Sequence, residues 1–210
     1  MSEVRILLAD DHAVVRSGLR RLLEQKTGFR VVAEAENGDQ AYQMYAEFMP
    51  DIAVLDLSMP GMGGLEAIRR ILARHDSAKV LVFSMHENAA FATQALKAGV
   101  RGYVSKTGSP DELVTAVTEI MRGQNYISAN VAQKIALNSL GGEHDPFHLL
   151  STREFEIFRF LAAGKGTAEI GEKLKISQKT VANYHTTIRQ KLDITSSIEL
   201  IRLAMKHSII

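Results

Sequence analysis

Along residues 4–123 the apolar positions alternate between two rhythms. Short runs rich in branched aliphatic side chains, at Val4–Ala9, Phe29–Ala35, Ile52–Leu55, 80–83 and 102–104, predict strands. Between them, apolar residues three and four apart, such as Val14, Val15, Leu19, Leu22 and Leu23, predict helices over 13–25, Gly38–Phe48, 65–74 and Ala89–Ala98. Ser109-Pro110-Asp111-Glu112 opens a fifth helix with the pattern of a capping box and proline at the first helical position. Five strand–helix units predict a parallel sheet covered on both faces.

Gly123 ends that pattern. A helix is expected over 128–140, followed by the loop formers Gly141-Gly142-Glu143-His144-Asp145-Pro146, the best linker candidate. From Leu150 onward the periodicity is helical throughout. Ser151-Thr152-Arg153-Glu154 reads as a second capping box, with its helix ending near Gly164. A short helix over Thr167–Leu174 follows, then one capped by Ser177 and running to Leu192, and a last one capped by Ser196 or Ser197 and running to His207. The expected organisation is α/β plus all-α. A (βα)5 doubly wound, flavodoxin-like domain spans 1–123, a helix-containing linker 124–146, and a four-helix domain 147–210.

Charge divides the same way. Residues 1–125 carry 14 Lys/Arg against 16 Asp/Glu, whereas residues 149–210 carry 10 against 6, behind a formal net charge of +1. A basic helical domain behind an acidic one points to a polyanion as its partner. With 46% hydrophobic and 23% charged residues the composition is that of an ordinary globular protein. The absence of cysteine excludes disulfides, thiolate metal sites and cysteine nucleophiles, and suits a reducing cytosol. The start of the chain runs straight into a strand pattern, and no apolar run reaches membrane-spanning length, so a cytoplasmic protein with no membrane partner is expected.

Chemistry gathers at the strand ends. Asp10-Asp11 follow the first strand, Asp56 ends the third, Ser84 follows the fourth and Lys106 the fifth. One Asp at a strand end is ordinarily a turn or a cap, but a parallel sheet brings all of these to one edge. Carboxylates packed together repel unless neutralised, and a hard cation such as Mg2+, which keeps positions open for water and phosphate, answers that. Lys106 supplies a positive charge for phosphate oxygens and Ser84 a hydroxyl. A carboxylate that becomes an aspartyl-phosphate fits this set. Gly61, Gly63 and Gly64 lack the spacing of a dinucleotide-binding fingerprint and read as a flexible loop after the acceptor.

Leu8-Ala9-Asp10-Asp11-His12, the run from Leu55-Asp56-Leu57-Ser58-Met59-Pro60 to Gly64, and Gly102-Tyr103-Val104-Ser105-Lys106 resemble the receiver domain of two-component response regulators over about residues 3–123. The resemblance implies that Asp56 accepts phosphate from a sensor histidine kinase. It implies that Asp11, Asp56 and the backbone carbonyl of Ser58 hold Mg2+, with Asp10 helping directly or through water. It makes Ser84 and Tyr103 a switch pair, the hydroxyl turning toward the phosphoryl group and the ring moving into the space vacated. Thr107 stands where many receivers have a proline after a cis bond, and Met85 where a small residue is common. Met85 is read either as packing or as narrowing access to the phosphoryl group, and His12 as a helix-start or surface residue.

In the basic domain, the helix from Ser177 to Leu192 carries Lys179, Arg189 and Lys191 and short polar side chains at Gln178, Thr180, Asn183, Thr186 and Thr187, with Val181, Ile188 and Leu192 on the other side. That is helix-turn-helix logic, with the second helix in the major groove; a small bundle with a solvated polar face is the alternative. Leu150-Ser151-Thr152-Arg153-Glu154, Glu169-Ile170-Gly171-Glu172-Lys173-Leu174, Ile176-Ser177-Gln178-Lys179-Thr180-Val181 and Lys191-Leu192 resemble the LuxR-type domain, and the combination resembles NarL/FixJ-type regulators. By that resemblance Lys179, Thr180, Asn183 and Tyr184 lie near DNA, and Val181 falls at the groove boundary. Ala182 and Tyr184 depart from the frequent Lys and His, leaving Tyr184 either to reach a phosphate or to pack on the core. The last helix serves dimer pairing, the domain's own core, or both.

The expected function is that of a cytoplasmic transcription regulator, with a sensor histidine kinase and double-stranded promoter DNA as partners. A second copy would join when the chain is phosphorylated, and RNA polymerase is a further partner to consider. No turnover of an external substrate is expected. A metal-dependent phosphatase would need a second acid and a substrate pocket, and an RNA- or protein-binding output would keep the receiver but lose the operator.

Overall fold

The protein is described by a computed structural model covering residues 3–140 and 145–210; the linker candidates Gly141, Gly142, Glu143 and His144 lie outside the described residues. Strands β1 (Val4–Ala9), β2 (Phe29–Ala35), β3 (Ile52–Leu55), β4 (Val80–Ser84) and β5 (Gly102–Ser105) alternate with helices α1 (Ala13–Glu24), α2 (Gly38–Phe48), α3 (Gly64–Arg74), α4 (Ala89–Ala98) and α5 (Pro110–Met121). Every pair is parallel, in the order β2-β1-β3-β4-β5-β6. The strand order reverses between β1 and β3, where doubly wound sheets open a crevice at the carboxyl edge. There the Asp56 N–H donates to the carbonyl of Ala9 at 2.8 Å, so β1 and β3 deliver Asp10 and Asp56 side by side.

Strand β6 (Tyr126–Ile127) extends the sheet beyond the five expected strands, pairing Tyr126 with Gly102 and Ile127 with Tyr103. Two residues are too few to show a period, and the segment is held instead from outside. The Ser128 N–H donates to the Tyr103 carbonyl at 2.9 Å, and the Ser128 Oγ accepts from the Ser105 N–H at 3.2 Å. Helix α6 (Ala129–Leu140) then packs on α4, and a 3-10 turn (Pro146–Leu149) leads into α7 (Thr152–Ala162), α8 (Thr167–Leu174), α9 (Gln178–Leu192) and α10 (Ser197–Lys206).

The capping expectations divide. Ser151 and Glu154 form both halves of a capping box, and Ser196, rather than Ser197, forms another with Glu199. At α5 Ser109 is the N-cap and Pro110 opens the helix, but the Ser109 side chain makes no capping bond. The Glu112 N–H donates to the Ser109 carbonyl instead, at 3.0 Å, and the Glu112 carboxylate accepts from the Tyr126 hydroxyl at 3.2 Å, across to β6.

One face of the sheet buries Ile6, Leu8, Val54, Leu81 and Val104 against Leu23, Leu113, Val117 and Ile120. The other buries Leu7, Leu55 and Val82 against Ile68 and Phe91, and this core continues into Phe147, Phe155, Phe158, Ile188 and Leu200 of the helical domain. The two domains therefore share apolar burial, chiefly through α3, α4 and α7. Phe91 meets Phe155 edge-on at 5.4 Å, and the buried Gln94 donates to the carbonyl of Phe147 at 2.8 Å.

Around that apolar contact lies a charged one. Glu66 of α3, fully buried, accepts from Arg69 and Arg70 at 2.7 Å each and forms an ion pair with Arg153 of α7 at 2.9 Å. Burial opposes its charge, but the arginine hydrogen bonds outweigh that and lower its pKa. Arg70 and Arg153 also donate to the carbonyl of Leu174, closing the C-terminus of α8 onto the receiver. Glu156 of α7 is buried beside Glu66, and burial followed by that like charge pushes its pKa up to about 8 despite Arg153 and Arg159.

Gly64 opens α3 with no room for a side chain: a Cβ there would lie 1.9 Å from the Asp56 carbonyl oxygen and 2.7 Å from the Leu57 Cα. It is a close-approach residue, not part of a loose loop. Gly64→Ala should cost about 2–4 kcal/mol of stability, read as a drop in the thermal midpoint. Glu156 makes domain docking proton-linked. Its carboxyl binds a proton more tightly when docked, so acid favours the docked form, and docking weakens as pH rises from 4.5 toward 8. Small-angle scattering across that range should show expansion, and Glu156→Gln should flatten the response.

Candidate phosphoacceptor site and nucleic-acid interface

At the carboxyl edge of the sheet, the Lys106 ammonium bridges Asp10 Oδ2 and Asp56 Oδ2, at 2.6 Å from each. Both carboxylates are buried, and Lys106 is half-buried. Burial opposes the lysine charge, but its bonds to Asp10 and then Asp56 more than compensate, and its pKa is raised. Asp56 Oδ1 accepts from the Leu57 N–H at 2.6 Å and Asp10 Oδ1 from the His12 N–H at 2.8 Å, so the four oxygens are aimed by backbone as well as by charge.

Asp11 stands at the exposed rim, 2.8 Å from His12 Nδ1. Ligand atoms of Asp10, Asp11 and His12 lie within 4.8 Å of one another, the spacing of a cation site. The donors are mainly hard carboxylate oxygens, which fits a hard divalent ion of the Mg2+ type. His12 was expected only as a helix-start residue; it is the N-cap position of α1, and its ring also joins this cluster.

The switch candidates sit beside this site. Ser84 is buried, its Oγ accepting from the His86 N–H at 3.3 Å. Tyr103 is fully buried and its hydroxyl donates to the His86 carbonyl at 2.5 Å. Burial raises the pKa of this phenol. Met85 is exposed at 62%, so its side chain does not pack in the core. There is no cis peptide among the described residues, so Lys106 and Thr107 are joined in trans. Thr107 has its own use: its hydroxyl donates to Glu87. Glu87 also accepts from Ser105 at 2.7 Å and, from α6, Asn130 and Lys134 at 2.6 Å each. The bonds from Lys134, Thr107 and Ser105 hold its carboxyl down to about 2. His86 Nε2 lies 2.8 Å from Ser58 Oγ, bridging the loops after β3 and β4.

In the helical domain, α8 ends with Lys175 in the left-handed region, at φ 55°. A Cβ on Gly171 would lie 2.8 Å from the Ile176 carbonyl, so glycine lets the turn between α8 and α9 close. The Ser177 side chain caps α9 through the Thr180 N–H at 3.0 Å. Val181 and Ile188 are both fully buried, which removes Val181 from the groove boundary. Tyr184 is half-buried and packs against the core. Lys179 and Asn183 are exposed, and Thr180 is half-buried.

The cations of α9 are not equivalent. Arg189 donates to the carbonyls of Ile194 and Thr195, and Lys191 pairs with Glu154 at 2.7 Å. Both tie the domain together. Lys179 makes no such bond among the described residues. Sequence reasoning missed Glu156 and Arg159, since each takes its meaning from a partner on another element and neither lies in a local motif.

Comparison with known proteins agrees with the geometry. Residues 6–118 match the response regulator receiver domain, and residues 148–204 match the bacterial regulatory proteins of the luxR family. The chain is 38% identical to the response regulator GacA of Pseudomonas viridiflava, over 99% of this chain and 98% of that protein. It is 38% identical to the response regulator UvrY of Escherichia coli, over 98% of this chain and 95% of that one. Among solved structures, RcsB from Salmonella enterica serovar Typhimurium, bound to promoter rprA in the presence of phosphomimetic BeF3−, covers 96% of this chain and 98% of its own. It has 28% identity and a TM-score of 0.76. No described helix is long and apolar enough to cross a membrane.

Because Lys106 is the shared ion-pair partner of two buried carboxylates, Lys106→Met should lower stability by roughly 3–5 kcal/mol. Millimolar Mg2+ should restore much of the loss in a thermal melt; a midpoint indifferent to the ion would place the cation elsewhere.

Proposed function

Since the chain belongs to the two-component response regulators that join a receiver to a LuxR-type DNA-binding domain, we propose that Asp56 is its phosphoacceptor and α9 its DNA-reading helix. The protein is a DNA-binding transcription regulator, not an enzyme acting on an external substrate. The observation that carries the site reading is the Lys106 bridge, which holds one ammonium at 2.6 Å from both Asp10 and Asp56.

The chemistry is transfer of a phosphoryl group from the phosphohistidine of a sensor kinase to an Asp56 oxygen. The P–N bond breaks and an acyl-phosphate O–P bond forms. Asp56 is fixed for attack by the Leu57 N–H on one oxygen and Lys106 on the other. Lys106 then exchanges a carboxylate for a phosphoryl oxygen, while the group at Asp56 gains about one negative charge. Asp10, Asp11, Asp56 and the Ser58 carbonyl would hold Mg2+, which supplies charge screening for the incoming anion. Ser84, already facing the loop of His86, contributes its hydroxyl to the phosphoryl group. Tyr103, buried against the same loop, reports the change to the α4–β5–α5 surface.

On the output side, Lys179, Thr180, Asn183 and Tyr184 are assigned to DNA, with Lys179 as the main phosphate contact and Tyr184 reaching the duplex only with the edge its packing leaves free. The unit on DNA is a homodimer. Support comes from RcsB, whose structures include two dimers bound to two parallel DNAs. The chain works in the cytoplasm, and contact with RNA polymerase belongs to the same reading.

Asp56→Ala should abolish labelling by a small acyl-phosphate donor while leaving the circular dichroism spectrum intact; persistent stoichiometric labelling would place the acceptor elsewhere. Lys179→Ala should weaken promoter binding and reduce the slope of log affinity against log salt by about one. An unchanged slope in a mobility-shift titration would remove Lys179 from the backbone contacts.

A further inference from the structure

Arg159 belongs to α7 of the DNA-binding domain, yet its guanidinium lies 4.5 Å from the centre of the receiver's Phe91 ring. Its Nε is buried without a hydrogen-bond partner among the described residues. Burial lowers its pKa, with Glu156 opposing. A half-buried cation whose Nε is fully enclosed and which rests largely on a ring face is an expensive arrangement for simple adhesion.

The surroundings explain the position. Phe91 also stacks on the His86 ring, with centroids 4.1 Å apart and planes 8° from parallel. His86 reaches Ser58 Oγ at 2.8 Å, two residues past Asp56, and accepts the Tyr103 hydroxyl on its carbonyl. A continuous stack thus runs from α7 to the phosphoacceptor loop and the switch pair. The Arg159 charge acts on His86 and on Tyr103 in the sense opposite to that of Asp56, so the two charges share one small volume. Meanwhile Lys179, Asn183, Thr186 and Gln190 of α9 are exposed, although the turn into α9 also meets the receiver, Lys175 pairing with Asp39 at 2.5 Å.

We propose that Arg159 is a positioning residue for phosphoryl acceptance at Asp56: seated on Phe91, it holds His86 against Ser58 and adds positive potential to the site. Docking of the DNA-binding domain and addition of the phosphoryl group then favour one another. Coupling of this kind is reciprocal, so whatever weakens docking weakens the phospho-form by the same factor. The proposal rests on Asp56 being the acceptor.

The test uses the full chain with Mg2+ and beryllofluoride, following affinity by calorimetry. Arg159→Met keeps most of the buried stem and removes the charge; it should weaken beryllofluoride binding about tenfold, equivalent to about 1.4 kcal/mol. Arg159→Lys should restore most of that loss. A purely structural role would lower the thermal midpoint of Arg159→Met and leave the affinity unchanged, which overturns the proposal. Should Arg159→Met fail to fold, Phe91→Leu decides: it removes the ring that joins Arg159 to His86, and it should weaken binding severalfold, an unchanged affinity again overturning the idea. Asp56→Ala separates the two claims, because binding that survives it sinks the acceptor assignment, whereas its loss beside an unaffected Arg159→Met sinks this inference alone.

Discussion

Two carboxylates buried at one sheet edge cannot both be charged without a counter-charge, and the Lys106 ammonium supplies it. Much of the receiver's construction follows from that constraint. β1 and β3 must be neighbours for Asp10 and Asp56 to meet, and β5 must end nearby for Lys106 to reach both. The strand order provides this, with β1 and β3 hydrogen-bonded and β5 one strand further beyond β4. Close approach of α3 is the next requirement, met by Gly64 against the Asp56 carbonyl. The resulting site is compact, dry on its floor and open at the Asp11 rim, a geometry suited to a cation and a phosphoryl group arriving from solvent.

A second arrangement of charge, between the domains, follows different rules. Glu66 is buried among Arg69, Arg70 and Arg153, and its neighbour Glu156 is held neutral over much of the physiological range. Buried ion networks contribute little net stability compared with apolar packing, but they are intolerant of rearrangement. Here the apolar contact of Phe91 with Phe155 supplies adhesion, while the arginines fix which surfaces meet. The receiver and the DNA-binding domain are thereby joined in one register, with Lys179 and Asn183 of α9 exposed.

Signal transfer has two physical routes from the loop after β4. Through Glu87 it reaches Ser105, Thr107 and the side chains of α6 that precede the helical domain. Through His86 and Phe91 it reaches α7 directly. Both start within three residues of Ser84, so this loop touches the linker helix and the domain interface together.

The alternation of strand and helix, the acidic strand ends, the lysine after β5 and the helix-turn-helix spacing were legible in the chain because each is a local pattern repeated in sequence. The capping box at Ser151 was legible for the same reason, and the one at Ser109 misled because Glu112 found a better partner in Tyr126 across the fold. Strand β6 was too short to carry a period. Arg189 and Lys191 added to the basic character of the helix because charge counts ignore pairing, and the structure gives them to backbone carbonyls and to Glu154. By itself, then, the sequence determined the two domain types, the phosphoacceptor candidates and the reading helix. Only the tertiary structure decided which cations remain available, that Val181 is core, and that Arg159 rests on Phe91 of the receiver, because burial and ion pairing depend on residues far apart in the chain.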